Sequence, residues 1–205
     1  MRGPLTPWRE PEVFLELDPR AMQLEVRDYR PADREHLGEC LSALLDEMVG
    51  LDPWHRTRRT PDYTTKSISK CLREVRQNDG FILVGEADHE PAGIAVAWIS
   101  GMSEVERTIT LPTRVGLLYA LSVLPGFRKN GVGSALLAEC ERRFRQRGCD
   151  QLGLFVFAGN KGAQRLYARH GFRDRAKLTV KQLGPPLRRW PPPPGTKRKP
   201  RRVHP

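Results

Sequence analysis

The chain has 205 residues, of which 39% are hydrophobic and 29% are charged, and its formal net charge is +11. This length and composition suit one soluble domain of roughly 150 residues with extensions. No stretch approaches the roughly 18 consecutive apolar residues of a membrane span, and the N-terminus lacks the apolar segment of a signal peptide, so we expect a cytoplasmic protein with no membrane partner.

The positive charge is concentrated near the C-terminus. Residues 184–205 carry seven Lys and Arg and no acid, whereas residues 1–22 carry a net charge of −1. We therefore expect an extended N-terminal arm at 1–22, a folded domain at 23–183 and a disordered, Pro-rich basic tail at 184–205. This distribution argues against a uniformly basic nucleic-acid-binding protein, and it leaves open that the tail contacts an acidic partner.

The cysteines give no sign of a metal site. No two of them form a CxxC pair, and none lies at zinc-finger spacing from a histidine. Free thiols and no bound metal are expected for Cys40, Cys71, Cys140 and Cys149.

Hydrophobic periodicity predicts alternating strands and helices. In chain order these are a strand at 24–29, a helix ending near Gly50, an exposed loop at 52–63, a helix at 64–77, strands at 81–86 and 92–100, a strand at 114–124, a helix at 132–147, a strand at 151–157, a helix at 160–170 and a final strand at 172–183. The segment 101–112 fits no single element. This order predicts an α/β domain with a mixed sheet and helices on its faces.

The stretch LLYALSVLPGFRKNGVGSALL at 117–137 joins a strand, a glycine-bearing turn and the start of a helix. The first N–H groups of a helix have no partner within it, and the helix dipole adds partial positive charge there. Gly131 and Gly133 let a ligand approach the backbone, and Arg128 and Lys129 add formal charge. The stretch therefore predicts a pyrophosphate site. Neither a P-loop nor a dinucleotide fingerprint fits the spacing of its glycines.

The pattern Arg128-x-x-Gly131-x-Gly133 resembles the coenzyme A loop of the GCN5-related N-acetyltransferase (GNAT) family. A second block of that family is matched by Asn160-x-x-Ala163-x-x-x-Tyr167 followed by Gly-Phe at 171–172, in the expected order after a strand. The resemblance covers roughly residues 23–183. It implies the GNAT acyl-CoA N-acyltransferase fold, a mixed and mostly antiparallel sheet that splays at its central strands and is flanked by helices.

The resemblance further implies acetyl-CoA as co-substrate and direct attack on it by a primary amine of a small molecule or protein. The implied cofactor-binding residues are Leu121, Ser122, Val123, Arg128, Lys129, Asn130, Gly131, Val132, Gly133, Ser134 and Asn160. Backbone groups near the first three would pair with the pantetheine, and Asn160 would bind the cofactor, cap the following helix or do both. Tyr167 is implied as the general acid that protonates the coenzyme A thiolate, with a purely structural aromatic as the alternative.

The acceptor side is less defined. Many relatives place a glutamate on the central strand, but residues 116–120 hold no carboxylate, so the general base stays open among Tyr119, His55, Glu104 and Glu106. Trp54, His55 and Tyr119 are the predicted substrate-side residues. The arginines of the loop at 52–63 either present a basic face to an acidic acceptor or form a solvated surface.

Other functions remain open at this point. The missing glutamate favours a non-catalytic acyl-CoA sensor or regulatory module, and the same site would also serve transfer of a longer acyl group. A homodimer is suggested by family analogy alone.

Overall fold

The computed structural model describes residues 22–101, 108, 113–181 and 183–184. The strands are β1 Leu24–Asp28, β2 Phe81–Ala87, β3 Glu90–Ser100, β4 Val115–Val123 and β5 Gln151–Leu154, and the helices are α1 Arg34–Leu51, α2 Tyr63–Gln77, α3 Val132–Gln146 and α4 Lys161–Arg169. Short 3-10 turns at Pro31–Asp33 and Pro125–Phe127 precede α1 and follow β4. The predicted arm before Met22, the tail from residue 185 and nearly all of 102–112 lie outside these residues.

The five strands form one mixed sheet in the order β1-β2-β3-β4-β5. The first four strands pair antiparallel, and β5 pairs parallel to β4. The parallel pair requires a crossover connection, which is supplied by α3. The expected mixed, mostly antiparallel sheet is confirmed.

Helices α1 and α2 cover one face of the sheet. The buried side chains of α1 recur at the spacing of one helical face, with Leu37, Cys40, Leu41 and Leu45 no more than 6% exposed. They pack with Ile68 and Cys71 of α2 and with the inward-facing side chains of β2 and β3. This layer holds the segment between α1 and α2 over the sheet.

Helix α3 covers the opposite face. Its stripe of Leu136, Leu137, Cys140 and Phe144 is buried against β2, β3 and β4. The Phe144 ring lies directly on Gly116 of β4, where an added Cβ would come within 2.7 Å of the ring. The close approach of α3 to β4 therefore depends on glycine at that position.

The C-terminal end of the domain differs from the prediction. The strand predicted at 151–157 ends at Leu154, and Phe155 is 94% exposed. The final strand predicted at 172–183 is wrong, because residues 172–181 and 183 have no regular secondary structure. Alternating apolar residues indicate a strand only if a partner strand covers them, and Leu178 and Leu183 are about 90% exposed.

The thiols are free, as expected, and three of them are buried. Burial raises the pKa of the Cys40 and Cys140 thiols to about 12, so both are packing groups and not nucleophiles. Within the described ranges, no group of three or more His, Cys, Asp or Glu side chains is placed to hold a metal ion. No helix there has the length and apolar character that crossing a membrane requires.

Candidate functional site

Strands β4 and β5, the last two strands of the sheet, separate part of the way along their length. They pair over only four positions, the last of which joins Leu118 to Leu154. Strand β4 continues to Val123 and stays paired with β3 up to Gly93. Among the described residues, the edge of β4 from Tyr119 to Val123 therefore faces no strand, and we call these five residues the open edge. The sheet therefore opens between its fourth strand and its edge strand among the described residues, whereas the opening was expected between central strands.

Alternation along the open edge decides which backbone groups face outward. The Leu124 N–H donates to the Ala92 carbonyl at 2.9 Å, so the amide groups of Leu121 and Val123 point away from β3. Ser122 faces the interior, where its hydroxyl donates to the Cys40 carbonyl at 2.9 Å. Of the three residues predicted to pair with pantetheine, Leu121 and Val123 offer their own backbone groups, and Ser122 ties β4 to α1.

The loop at residues 128–134, called the glycine loop, leads from β4 into α3. Lys129 and Gly131 adopt positive φ angles of 70° and 89°, and Gly131 is the N-cap of α3. No side chain caps this helix, so the amides of Val132, Gly133 and Ser134 are directed to the open end of the helix. These amides, with the dipole of a helix of 15 residues, form an anion-binding end.

The glycine loop fits a phosphate group because its backbone is bare. A Cβ on Gly131 would lie 3.1 Å from Leu24 Cδ1, and one on Gly133 would lie 3.5 Å from Leu166 Cδ2. The loop is thus held between β1 and α4, and a side chain at either position would press on Leu24 or Leu166. The donor set, neutral backbone N–H groups with Arg128 and Lys129, suits the pyrophosphate of coenzyme A.

Arg128 is folded back on the open edge. Its Nε donates to the Val123 carbonyl at 2.9 Å, and its Nη2 bonds a Glu47 carboxylate oxygen of α1 at 2.9 Å. Both ends of this contact are about 40% exposed, so it is a weak surface pair. In this structure the guanidinium therefore occupies the Val123 carbonyl.

The connection from β5 to α4 is held by two side chains. Asn160 caps α4 by accepting a hydrogen bond from the Ala163 N–H at 3.0 Å through its Oδ1 atom, which leaves its amide NH₂ out of the cap. Gln164, which the sequence did not single out, donates to the carbonyls of Phe157 and Ala158 at 3.0 Å. The sequence signal that could have singled out Gln164 is its position in the first turn of a helix, directly after a turn rich in small residues.

Tyr167 of α4 lies on the α3 face of the sheet. Its ring packs against the core beneath α3 and lies 5.7 Å from the Phe172 ring. Burial raises the pKa of Tyr167 to about 12, so the phenol is protonated at neutral pH. It meets the first requirement of a proton donor.

Tyr119 lies on the other face and is the extra residue of a β-bulge. Strand β3 pairs Val96 with Ala120 and Ala97 with Leu118, so Tyr119 has no partner on β3. Its ring stacks on Trp98 at 4.7 Å, and the Lys70 ammonium of α2 lies 4.5 Å from the ring centroid. Tyr119 is 39% exposed and stands where the open edge begins.

The loop at residues 52–62 between α1 and α2, called the Asp52 loop, is organised by one carboxylate. Asp52 is 6% exposed and accepts four hydrogen bonds, from the N–H groups of Trp54, Arg56 and Thr57 and from the Thr57 hydroxyl. Burial alone would raise the pKa of Asp52, but these donors hold the pKa below its ordinary value. The turn places His55 at a φ of 52°.

The Asp52 loop begins beside the connection from β5 to α4. A Cβ on Gly159 would lie 3.5 Å from Leu51, the last residue of α1, so the loop starts against the β5–α4 connection. Tyr63, the first residue of α2, lies within electrostatic reach of both Tyr119 and Arg59. The start of α2 thus lies near Tyr119, whereas the contacts of Trp54 and His55 are with Asp52 of their own loop. Glu104 and Glu106 fall outside the described residues.

Comparisons with known proteins agree with this geometry. The model of the Acetyltransferase (GNAT) family matches residues 20–172. An uncharacterized N-acetyltransferase of Archaeoglobus fulgidus is 29% identical over 146 residues, which are 71% of this chain and 92% of that protein.

Solved structures show the same fold. The BH1408 protein of Bacillus halodurans, solved as a tetramutant, superposes with a TM-score of 0.66 at 16% identity, over 78% of this chain and 99% of that one. The aminoglycoside N-acetyltransferase AAC(6')-Iy, solved in complex with CoA, superposes with a TM-score of 0.57 at 21% identity, over 81% of this chain and 98% of that one. The chain belongs to the GNAT acetyltransferase family.

Proposed function

We propose that the protein transfers the acetyl group of acetyl-CoA to a primary amine by direct attack. The observation that carries this proposal is the continuity of the open edge of β4 with the bare N-terminus of α3. An extended ligand can pair with Leu121 and Val123 while its phosphates meet the amides of the glycine loop. The CoA complex of the AAC(6')-Iy neighbour supports acetyl-CoA as the co-substrate.

The two tyrosines divide the chemistry between the faces of the sheet. When bound, acetyl-CoA supplies a thioester carbon for the amine to attack and a sulfur that leaves. Tyr167, on the α3 face, donates a hydrogen bond to that sulfur and then its proton as the carbon–sulfur bond breaks, and the phenolate regains a proton through water as the new amide nitrogen releases one. Its raised pKa keeps the proton in place between turnovers.

The amine enters from the face covered by α1 and α2. Tyr119, Trp54 and His55 border that entrance, and the amine nitrogen loses its proton to water there. Because β4 holds no carboxylate, positioning of the amine against the thioester replaces much of the work of a strong base. Such positioning generally lowers the activation free energy by several kcal/mol, up to about 7–11 kcal/mol.

A non-catalytic sensor of acyl-CoA is the second candidate, and the missing carboxylate on β4 is the observation that favours it. It would use the open edge and the glycine loop and make no use of Tyr167.

Turnover separates the two candidates. The protein is incubated with acetyl-CoA and a panel of amines that includes amino acids, polyamines, aminoglycosides and lysine-containing peptides. Free thiol is measured together with the mass of each amine. We expect equal amounts of thiol and of an acceptor that is heavier by one acetyl group. Tight binding of acetyl-CoA with no modified acceptor in the panel would instead support the sensor.

A further inference from the structure

Lys70 extends from α2 to the mouth of the open edge. Its ammonium lies over the Tyr119 ring and within 3.3 Å of the Tyr119 hydroxyl, to which it donates. The Tyr119 ring also packs against the Trp98 ring, with the ring centroids 4.7 Å apart. A formal positive charge therefore stands beside the point at which β4 and β5 separate.

The surrounding segment does not neutralise this charge. Residues 52–77 hold seven Lys and Arg and only three acids. Asp52 is saturated by four donors of its own loop. Asp62 pairs with Lys66, and Glu74 is bonded by Arg73 and Asn78. These three carboxylates are thus already engaged and are not directed at an incoming ammonium group.

Two consequences follow for an amine that enters here. A polycation is repelled by Lys70, whereas an amine that carries its own anionic group gains a partner at the Lys70 ammonium. A nearby positive charge also lowers the pKa of an incoming ammonium, so a larger fraction of the bound amine is neutral and nucleophilic. This second effect assists the reaction on a strand that offers no carboxylate.

We propose that Lys70 is a specificity-determining residue that binds an anionic group of the acceptor, and that the acceptor is a primary amine with a carboxylate or phosphate close to the amine. This inference rests on the proposed acetyl transfer. The Lys70 ammonium exchanges its hydrogen bond to Tyr119 for the anionic group of the acceptor, which holds the amine nitrogen toward the open edge.

The test compares acceptors of opposite charge in matched variants. Acetylation of aspartate, glycine and phosphoethanolamine is measured against acetylation of spermidine and kanamycin, as kcat/KM by thiol release and mass spectrometry. Lys70→Glu reverses the charge, and Lys70→Arg keeps it. Lys66→Glu makes the same reversal one turn earlier on α2, where the side chain is 77% exposed.

The wild-type protein should prefer the anionic amines, and Lys70→Glu should lower that preference by on the order of tenfold or more. Lys70→Arg should retain it, and Lys66→Glu should change it by less than about twofold. A preference for spermidine or kanamycin in the wild type would overturn the inference and leave acetyl transfer standing, and so would an unchanged preference in Lys70→Glu. If no amine of any charge is acetylated, the proposed function fails as well.

Discussion

The donor side and the acceptor side of the site are built in different ways. On the proposed donor side, which comprises β4, the glycine loop, α3 and the β5–α4 connection, the groups left without a partner strand or a side-chain cap are backbone amides. On the acceptor side, which comprises α1, the Asp52 loop and α2, they are side chains such as Lys70 and Tyr119.

This difference determines how each side can change. A loop of bare backbone amides needs glycine, an N-cap and a fixed turn, and these requirements leave a sequence pattern. Side chains on a packed layer can be exchanged without altering the fold, so the acceptor side leaves no pattern. A variant should therefore affect one substrate and spare the other, and the predictions below test that separation.

The largest effect is expected from Tyr167→Phe. Loss of the phenolic proton should lower kcat about 100-fold, while the ring and the packing stay, so the KM for acetyl-CoA should change by less than about twofold. Steady-state kinetics in both substrates measures this change. Tyr29→Phe, at the end of β1 and remote from the open edge, is the control. A kcat equal to that of the wild type would remove Tyr167 from the chemistry.

The scaffold of the donor side is tested by Gly116→Ala. The added Cβ would lie 2.7 Å from the Phe144 ring and force α3 away from β4, so the free energy of unfolding should fall by about 2 kcal/mol. Urea unfolding gives the value. In the control Gly101→Ala, the new Cβ has no atom within 4 Å and stability should hardly change. Equal stability of the two variants would mean that α3 is not tightly seated on β4.

The acceptor side is tested by Asp52→Ala, which removes the acceptor of four hydrogen bonds. The loop should lose its fixed shape, and kcat/KM for the amine should fall about tenfold, with acetyl-CoA affinity unchanged. Asp79→Ala, which breaks only exposed ion pairs, is the control. A parallel loss of acetyl-CoA affinity in Asp52→Ala would contradict the separation of the two sides.

The smallest expected effect is that of mildly acidic pH on the Asp52 loop. The pKa of Asp52 lies below its ordinary value in the folded protein, so its hydrogen bonds stabilise the loop above the ordinary aspartate range and are lost as pH falls through the lowered pKa. Hydrogen-exchange protection of the Trp54, Arg56 and Thr57 amides should therefore stay constant from pH 7 to pH 5. Protection that fades already within this range would show that Asp52 does not hold the loop.

Much of the donor side could be predicted from the sequence. Gly131, Gly133 and Asn160 stand where a left-handed turn, a bare backbone and a helix cap need them, so residue type and spacing indicate their positions. The amphipathic helices α1, α2 and α3 follow from periodicity, because one face of each is buried.

The other features of the site depend on strand pairing and tertiary contacts, which no local sequence pattern predicts. The β-bulge at Tyr119 arises from the register of β3 against β4. Strand β5 ends at Leu154 because it separates from β4 there. The strand predicted at 172–183 failed because its alternation has no partner. Lys70 and Gln164 were missed because a lysine and a glutamine on a helix are ordinary surface residues until the fold shows what they reach.

The separation of the two sides rests on binding of acetyl-CoA at the glycine loop, and titration calorimetry with two aspartate variants tests this claim. Gly131→Asp adds a negative charge at the N-cap of α3, where φ is 89° and the new Cβ would lie 3.1 Å from Leu24 Cδ1. Gly126→Asp puts the same charge five residues earlier, in open space. With both variants folded by circular dichroism, acetyl-CoA affinity should fall at least about 30-fold for Gly131→Asp and less than about twofold for Gly126→Asp. Equal affinities would contradict a pyrophosphate site at the N-terminus of α3.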